Sequence, residues 1–412
     1  MERCTDFKDS RVEWIGLIPS EWDAIRARFL CDITTGNKDT VDRDDLGEYP
    51  FYVRSPIVEH IDTYSFDGEA VLTAGDGVGA GKVFHYAVGK FDYHQRVYNL
   101  HNFRRVEGRY LYYFMQENFY KEIERGNAKS TVDSIRLNML QDFVISFPHT
   151  KAHQEQVIAY LDRRTAEIDT LFTELQSQAE MLDRYKRELV AEAVTKGLDK
   201  SVTMKDSGTE WIGEVPAHWD ITPLRAFLKV ISVKNNADLP LLSVEREKGV
   251  VDRETEGSEN NHNRIPDDLS NYKVVRMGQF VMNKMKAWRG SYGVSNYDGI
   301  VSPAYYVFDL KFPNPSFFNY AIRSTKYIGF FGRDSYGIRT DQWDFKIGAI
   351  KGIPFAVPPV GEQRAIVEYL DHKIPLIEGL IADITAQLEK LKQYRQIVIH
   401  DAVTGKVKVT EG

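Results

Sequence analysis

The chain has 412 residues, 42% of them hydrophobic and 27% charged, with a formal net charge of −7. That length suits two to four folding units, and the composition excludes a disordered chain. The charge counts against a non-specific polyanion binder, although a basic groove on an acidic body is still compatible with a specific DNA reader. There is no run of about 18 apolar residues and no apolar secretory core, so no membrane span is expected. The two cysteines, Cys4 and Cys31, offer neither a disulfide framework nor metal spacing, which fits a reducing cytoplasm.

The first element is an opening motif, DSRVEWIGLIPSEWD at 9–23, and it returns as DSGTEWIGEVPAHWD at 206–220, with nine of fifteen positions identical. Trp14, Trp22, Trp211 and Trp219 belong to these copies, and their repetition points to packing. A first block, roughly 24–147, follows, rich in Tyr, Phe, Val and Gly. Ala70–Thr73 reads as a strand, and 109–123 as an amphipathic helix. The glycine loop Ala74–Lys82 would let backbone N–H groups approach phosphate, or would serve a tight hairpin. It departs from the phosphate-loop pattern at Asp76 and Val83. Lys82, Gln95 and Arg96 are candidate DNA contacts, as are Lys129 and Ser130, which follow Gly126, and Arg136.

A heptad pattern then runs through 154–189, with Leu161, Ile168, Leu175, Leu182 and Leu189 seven apart and Val157, Leu171 and Tyr185 on the second line. It begins after Pro148 and ends at Gly197, and it predicts one long packed helix of about 45 residues, roughly 65 Å. The second block, roughly 221–352, carries strand-like runs at Phe280–Met282 and Tyr305–Phe308 and a helical stretch at 315–328. Its most cationic segment is Asn283 to Gly290, which holds Lys284, Lys286, Trp288 and Arg289, with no acid from Phe280 through Tyr297. Arg339 and Thr340 match Lys129 and Ser130, each cation standing 19 residues before a proline, and Lys346 matches Arg136. The second heptad helix carries Leu370, Ile377, Ile384, Leu391 and Val398, with Ile366, Leu380 and Tyr394 between, and ends at Gly405. Pro375 and Gly379 predict a kink near 372–376.

Each helix has one apolar seam and needs a partner to bury it, so the two are expected to pair antiparallel. Gln178 and Gln387 occupy equivalent seam positions and are expected to meet near a pseudo-twofold axis. The blocks align weakly, Gly68 with Gly278 and Val71 with Val281. The fold class is α+β, with a pseudo-twofold internal repeat and domains at 1–149, 150–204, 205–352 and 353–412.

The two EWIG…P…W motifs, the proline and Glu/Gln-rich helix starts, AYLD and EYLD, and the two-block layout resemble the specificity subunit of type I restriction–modification systems. The resemblance covers essentially the whole chain. It implies that each variable block is a target recognition domain, reading half of a bipartite, asymmetric sequence in double-stranded DNA. It further implies that the helices set the gap and dock two modification (methyltransferase) subunits, to which restriction subunits can add. S-adenosylmethionine, ATP and Mg2+ then belong to partner subunits. No catalytic, cofactor or metal residue is expected on this chain. There is no Gly-x-Ser-x-Gly elbow, no His-Glu-x-x-His, and no Asn/Asp-Pro-Pro-aromatic signature. His85, His94 and His101 are too scattered to suggest a metal site. Two alternatives stay open: a coiled-coil adaptor for protein ligands, and the recognition part of a single-chain restriction enzyme.

Overall fold

The computed structural model describes residues 6–126, 134–253, 266, 268–336 and 343–409. The chain forms two compact units, one from Met1–Gln176 with Ala386–Gly412 and the other from Ser177–Thr385. The division falls inside both long helices, so each unit contains part of each.

In the first unit the opening motif forms a hairpin, Phe7–Asp9 with Leu17–Pro19. The next strand, Trp22–Arg26, pairs antiparallel with Val144–Pro148, which leads into the long helix. Between them lies a six-stranded sheet in the order Asp32–Thr35, Val97–His101, Phe66–Ala74, Phe84–Tyr93, Tyr49–Tyr52, Glu59–Ile61. The second half of strand Phe66–Ala74 is buried on both faces. Val71 joins the core beneath the helices Gly108–Asn118 and Tyr120–Gly126, while Ala70 and Leu72 join a second cluster with Phe91 and Tyr93. Side chains that alternate across a pleated strand require this division.

The second unit has the same plan. Its hairpin is Met204–Asp206 with Glu214–Pro216, and Asp220–Pro223 pairs with Pro354–Val357. A four-stranded sheet has the order Leu228–Ile231, Tyr305–Leu310, Phe280–Asn283, Tyr292–Val294, matching the first four strands of the other sheet. Phe280, Met282 and Phe308 pack under the helices Pro315–Arg323 and Thr325–Arg333, while Val281 and Val307 face a separate cluster. Asn314 caps the first of these helices, its Oδ1 accepting the Phe317 N–H at 3.1 Å. Both predicted amphipathic stretches become two short helices, broken at Phe119 and Ser324.

The long helices span Lys151–Lys196 and Val360–Val403, 46 and 44 residues. Each starts over a buried glutamine. Gln154 Nε2 donates to Arg105 O and Pro148 O at 2.8 Å, and Gln363 Nε2 donates to Pro358 O at 2.8 Å. Each stops at a glycine with φ +71°, Gly197 and Gly405, where a left-handed residue ends the helix. The repeated Tyr-Leu-Asp fastens the helix to the unit that precedes it. Leu161 and Leu370 are buried; Asp162 accepts from Arg109 and Tyr113, and Asp371 from Tyr320. The second helix runs unbroken through Pro375, which sits on its exposed side.

In the first unit, Leu161 and Ile168 share a core with Val398, Ile399 and Ala402, and Arg164 Nη2 donates to the Tyr394 hydroxyl at 2.9 Å. In the second, Val194 and Ala193 share a core with Ile366 and Leu370, and Lys186 pairs with Glu378 at 3.2 Å. Within each unit the two helix segments therefore run antiparallel.

The seam differs from the expected one on its second line. Leu161, Ile168, Leu175 and Leu182 face inward to varying degree, as do Leu370, Ile377, Ile384 and Leu391, but their neighbours on the seam lie four residues on. Those are Thr165, Phe172, Ala179 and Lys186 on one helix, and Ile374, Ile381, Leu388 and Arg395 on the other. On the expected second line Val157 and Ile366 are buried, but Leu171, Tyr185, Leu380 and Tyr394 are exposed, and so are Gln178 and Gln387, which lie one in each unit. The physical reason is that positions three and four residues beyond the Leu161–Leu182 and Leu370–Leu391 lines both lie beside them, and here the positions four beyond hold Phe172, Ile374, Ile381 and Leu388, the more apolar set. The glutamines therefore stand on the solvent side of the seam.

Candidate nucleic-acid interface

In the first unit several loops converge on Asp76. The Arg54 guanidinium donates from Nη1 to Asp76 Oδ1 at 3.0 Å, and Arg96 Nη1 lies 3.4 Å from Oδ2. Gly75 N–H donates to Arg96 O at 2.7 Å, and Ile135 N–H to Gly75 O at 2.8 Å, which docks the segment carrying Arg136 alongside. Gln95 Nε2 donates to Asp39 Oδ2 at 2.6 Å. Beneath them His94 is buried, and its Nδ1 accepts the Arg96 N–H at 2.9 Å. Burial lowers the His94 pKa, helped by the Arg54 charge. The proton of the neutral ring is then on Nε2, 3.7 Å from Asp39 Oδ1. Lys82, Gln95, Arg96 and Arg136 are all exposed.

The glycine loop is organised by its own chain. Ala80 N–H donates to Gly77 O, and Lys82 and Val83 N–H to Gly79 O. A Cβ at Gly79 would lie 2.4 Å from Arg54 O, and at Gly75 2.9 Å from Arg96 O. These glycines allow close packing of the arginine-bearing loops. Gly77 (φ +75°) is open, and Val78 beside it is 91% exposed.

The second unit builds its counterpart from different residues. Strand Phe280–Asn283 ends in a loop with a 3-10 turn at Ala287–Arg289 and a left-handed Gly290 (φ +90°). Phe345 N–H donates to Lys284 O at 2.9 Å, as Ile135 does to Gly75 in the first unit. Lys284 Nζ lies 3.4 Å from Asp344 Oδ2. Trp288 packs on Trp343, centroids 5.2 Å apart, and the Arg289 guanidinium sits 4.4 Å from the Trp288 ring. Asn283 is half-buried, its Oδ1 accepting the Met285 N–H, while Lys286, Arg289 and Lys346 are exposed. Lys129, Ser130, Arg339 and Thr340 lie outside the described residues.

Sequence reasoning missed several members of these clusters. Arg54 and Asp39 reach the first one from separate loops, and Trp343 reaches the second. Lys273 is a further case: its Nζ donates to Tyr305 O at 2.5 Å, and burial, then the charges of Lys234 and Lys284, lower its pKa. Three lysines from three segments gather here, and no local spacing reveals them.

The opening-motif tryptophans pack where each unit meets a helix end. A Cβ on Gly405 would come within 3.2 Å of Trp22, and one on Gly197 within 3.2 Å of Trp219, both rings being buried. Trp14 stacks on Phe143 at 5.6 Å, and Trp211, 38% exposed, meets Phe330 edge-on at 4.5 Å. Among the described residues no group of three or more His, Cys, Asp or Glu could hold a metal ion, and no helix is long and apolar enough to cross a membrane.

Residues 19–181 match the family described as "Type I restriction modification DNA specificity domain". The chain is 21% identical over 411 residues to the type I restriction enzyme EcoDI specificity subunit of Escherichia coli, covering 95% of this chain and 90% of that one. It is 22% identical over 425 residues to the type I restriction enzyme MjaVIII specificity subunit of Methanocaldococcus jannaschii, covering 95% and 94%. In fold it is similar to a chain from a structure described as "Structural basis underlying complex assembly and conformational transition of the type I R-M system", with a TM-score of 0.66, 13% identity, and coverage of 95% and 99%. Residues 19–181 thus match the DNA specificity domain of the type I restriction–modification family. The end-to-end matches support a specificity subunit of such a system.

Proposed function

We propose that this chain is the non-catalytic DNA-reading subunit of a type I complex, and that its two units read the two halves of a bipartite, asymmetric sequence in double-stranded DNA. The observation that carries the reading is one scaffold bearing two different surfaces. The same strand order supports Arg54, Asp76, Gln95 and Arg96 in one unit and Lys284, Trp288, Arg289 and Trp343 in the other. Unlike surfaces on like scaffolds suit unlike half-sites. Phosphate contacts would come from the exposed cations, including Lys82, Arg136, Lys286 and Lys346, and base contacts from groups with fixed geometry.

The long helices would set the unread gap, since readers about one DNA turn (~34 Å) apart can enter major grooves on one face of the duplex. Their exposed faces would dock two modification subunits, to which restriction subunits can add. S-adenosylmethionine, ATP and Mg2+ would act on those partners. Exchanging residues 24–147 for the corresponding block of another specificity subunit, followed by selection from a random duplex library, tests the reading. One half of the selected site should change while the other half and the gap stay constant. A change in both halves, or no sequence selection at all, would refute it; the latter is what a protein-binding adaptor would give.

A further inference from the structure

Two arginines share one carboxylate in the first unit. Asp76 takes Arg54 at 3.0 Å on one oxygen and Arg96 at 3.4 Å on the other. The carboxylate is the more buried partner, at 26% side-chain exposure against 45% and 64% for the arginines. Two guanidiniums thus share one carboxylate, while the neighbouring Asp39 is engaged by Gln95 at 2.6 Å. Both arginines hang from backbone wedged against the glycine loop, at Gly79 and Gly75. A guanidinium carries five N–H donors, and contact with Asp76 engages only a minority of them.

Exposed ion pairs of this type add little to stability. What they do supply is a fixed side-chain direction. A guanidinium held in one orientation binds a planar pair of acceptors with less entropy lost. Guanine presents such a pair, O6 and N7, in the major groove.

We propose that Arg54 and Arg96 form a preset guanine-reading pair in the first half-site, with Asp76 as the positioning residue. The proposal rests on the reading of this unit as a DNA reader. It assigns Arg54 and Asp76 to specificity and gives the first half-site a required G·C pair.

The test uses the full-length chain assembled with a type I modification subunit, in wild-type form and as Arg54→Lys, Arg96→Lys and Asp76→Asn. Binding is measured on duplexes randomised through the first half-site, with the second half-site fixed. Wild type should select guanine at one or more positions. Each lysine variant keeps the charge and loses the fork, so guanine preference should fall roughly 5- to 100-fold while the second half-site is unchanged. Asp76→Asn should relax the same position to a smaller degree. An unaltered guanine preference in all three variants would overturn the proposal, as would an equal loss of affinity for all four bases, the mark of a phosphate contact. Wild type binding with no half-site preference would instead sink the DNA-reading function, so the two failures are distinguishable.

Discussion

Glu117 lies in the helix Gly108–Asn118, and its burial, opposed by the charges of Lys121 and Arg395, pushes its carboxyl up to about 7. A carboxyl with its pKa raised by folding holds its proton more tightly in the folded chain. Its contribution is therefore most favourable below the ordinary carboxylate range and is lost as pH rises through about 7. Glu117→Gln should leave the melting temperature nearly unchanged at pH 5 and raise stability at pH 8 by about 1 kcal/mol, screening by solvent included. Thermal melts at the two pH values check this, and a variant less stable than wild type at pH 8 would contradict it. The opposite case is His400, whose pKa burial and the charges of Lys406 and Lys121 lower to about 4. Its Nδ1 faces Asn118 Oδ1 at 3.1 Å, and its Nε2 faces Lys406 Nζ at 2.8 Å. Neither residue could be picked out in the sequence, because both environments are made by chain segments hundreds of positions apart. Cationic composition marked Asn283–Gly290 as a candidate, and residue type marked Gln95 and Arg96. Arg54 and Trp343 have ordinary neighbours and gain their place from folding.

At the scale of elements, helix ends were legible almost to the residue, because proline and glycine act through the local backbone. The seam was legible on one line; on the other, Val157 and Ile366 are buried as expected and the remaining four positions are not. A Leu, Ile or Val every seven residues defines the first line without ambiguity, but the second depends on which flank meets a partner, and Leu171 and Phe172 are both credible from sequence. The exposures decide for Phe172, which is half-buried beside Lys392, against Leu171 at 45% exposed. Phe172→Ala should destabilise the chain by roughly 2 kcal/mol and Leu171→Ala by no more than about 0.5 kcal/mol. Denaturant midpoints of the two variants measure the difference, and the reverse order would restore the expected seam. A polar pair at the seam centre was also expected. Gln178 and Gln387 are exposed, and charged pairs serve at the seam edge in each unit, Lys186 with Glu378 and Arg395 with Asp169.

At the scale of the whole molecule, the duplication was the most legible property, because two copies of one packing solution must keep the same residues at the same contacts. Trp22 with Gly405 and Trp219 with Gly197 are one contact made twice, and Asp162 and Asp371 are another. What differs between copies is the surface that no packing constraint holds, and there sequence comparison of the halves gives little. The central claim is that these two unlike surfaces read two half-sites at a set spacing. Methylation mapping of a genome in cells that express this chain with a modification subunit tests it most directly. The account predicts marks at one two-part, asymmetric sequence with an unread gap of constant length. Marks at a single uninterrupted or palindromic sequence would contradict it.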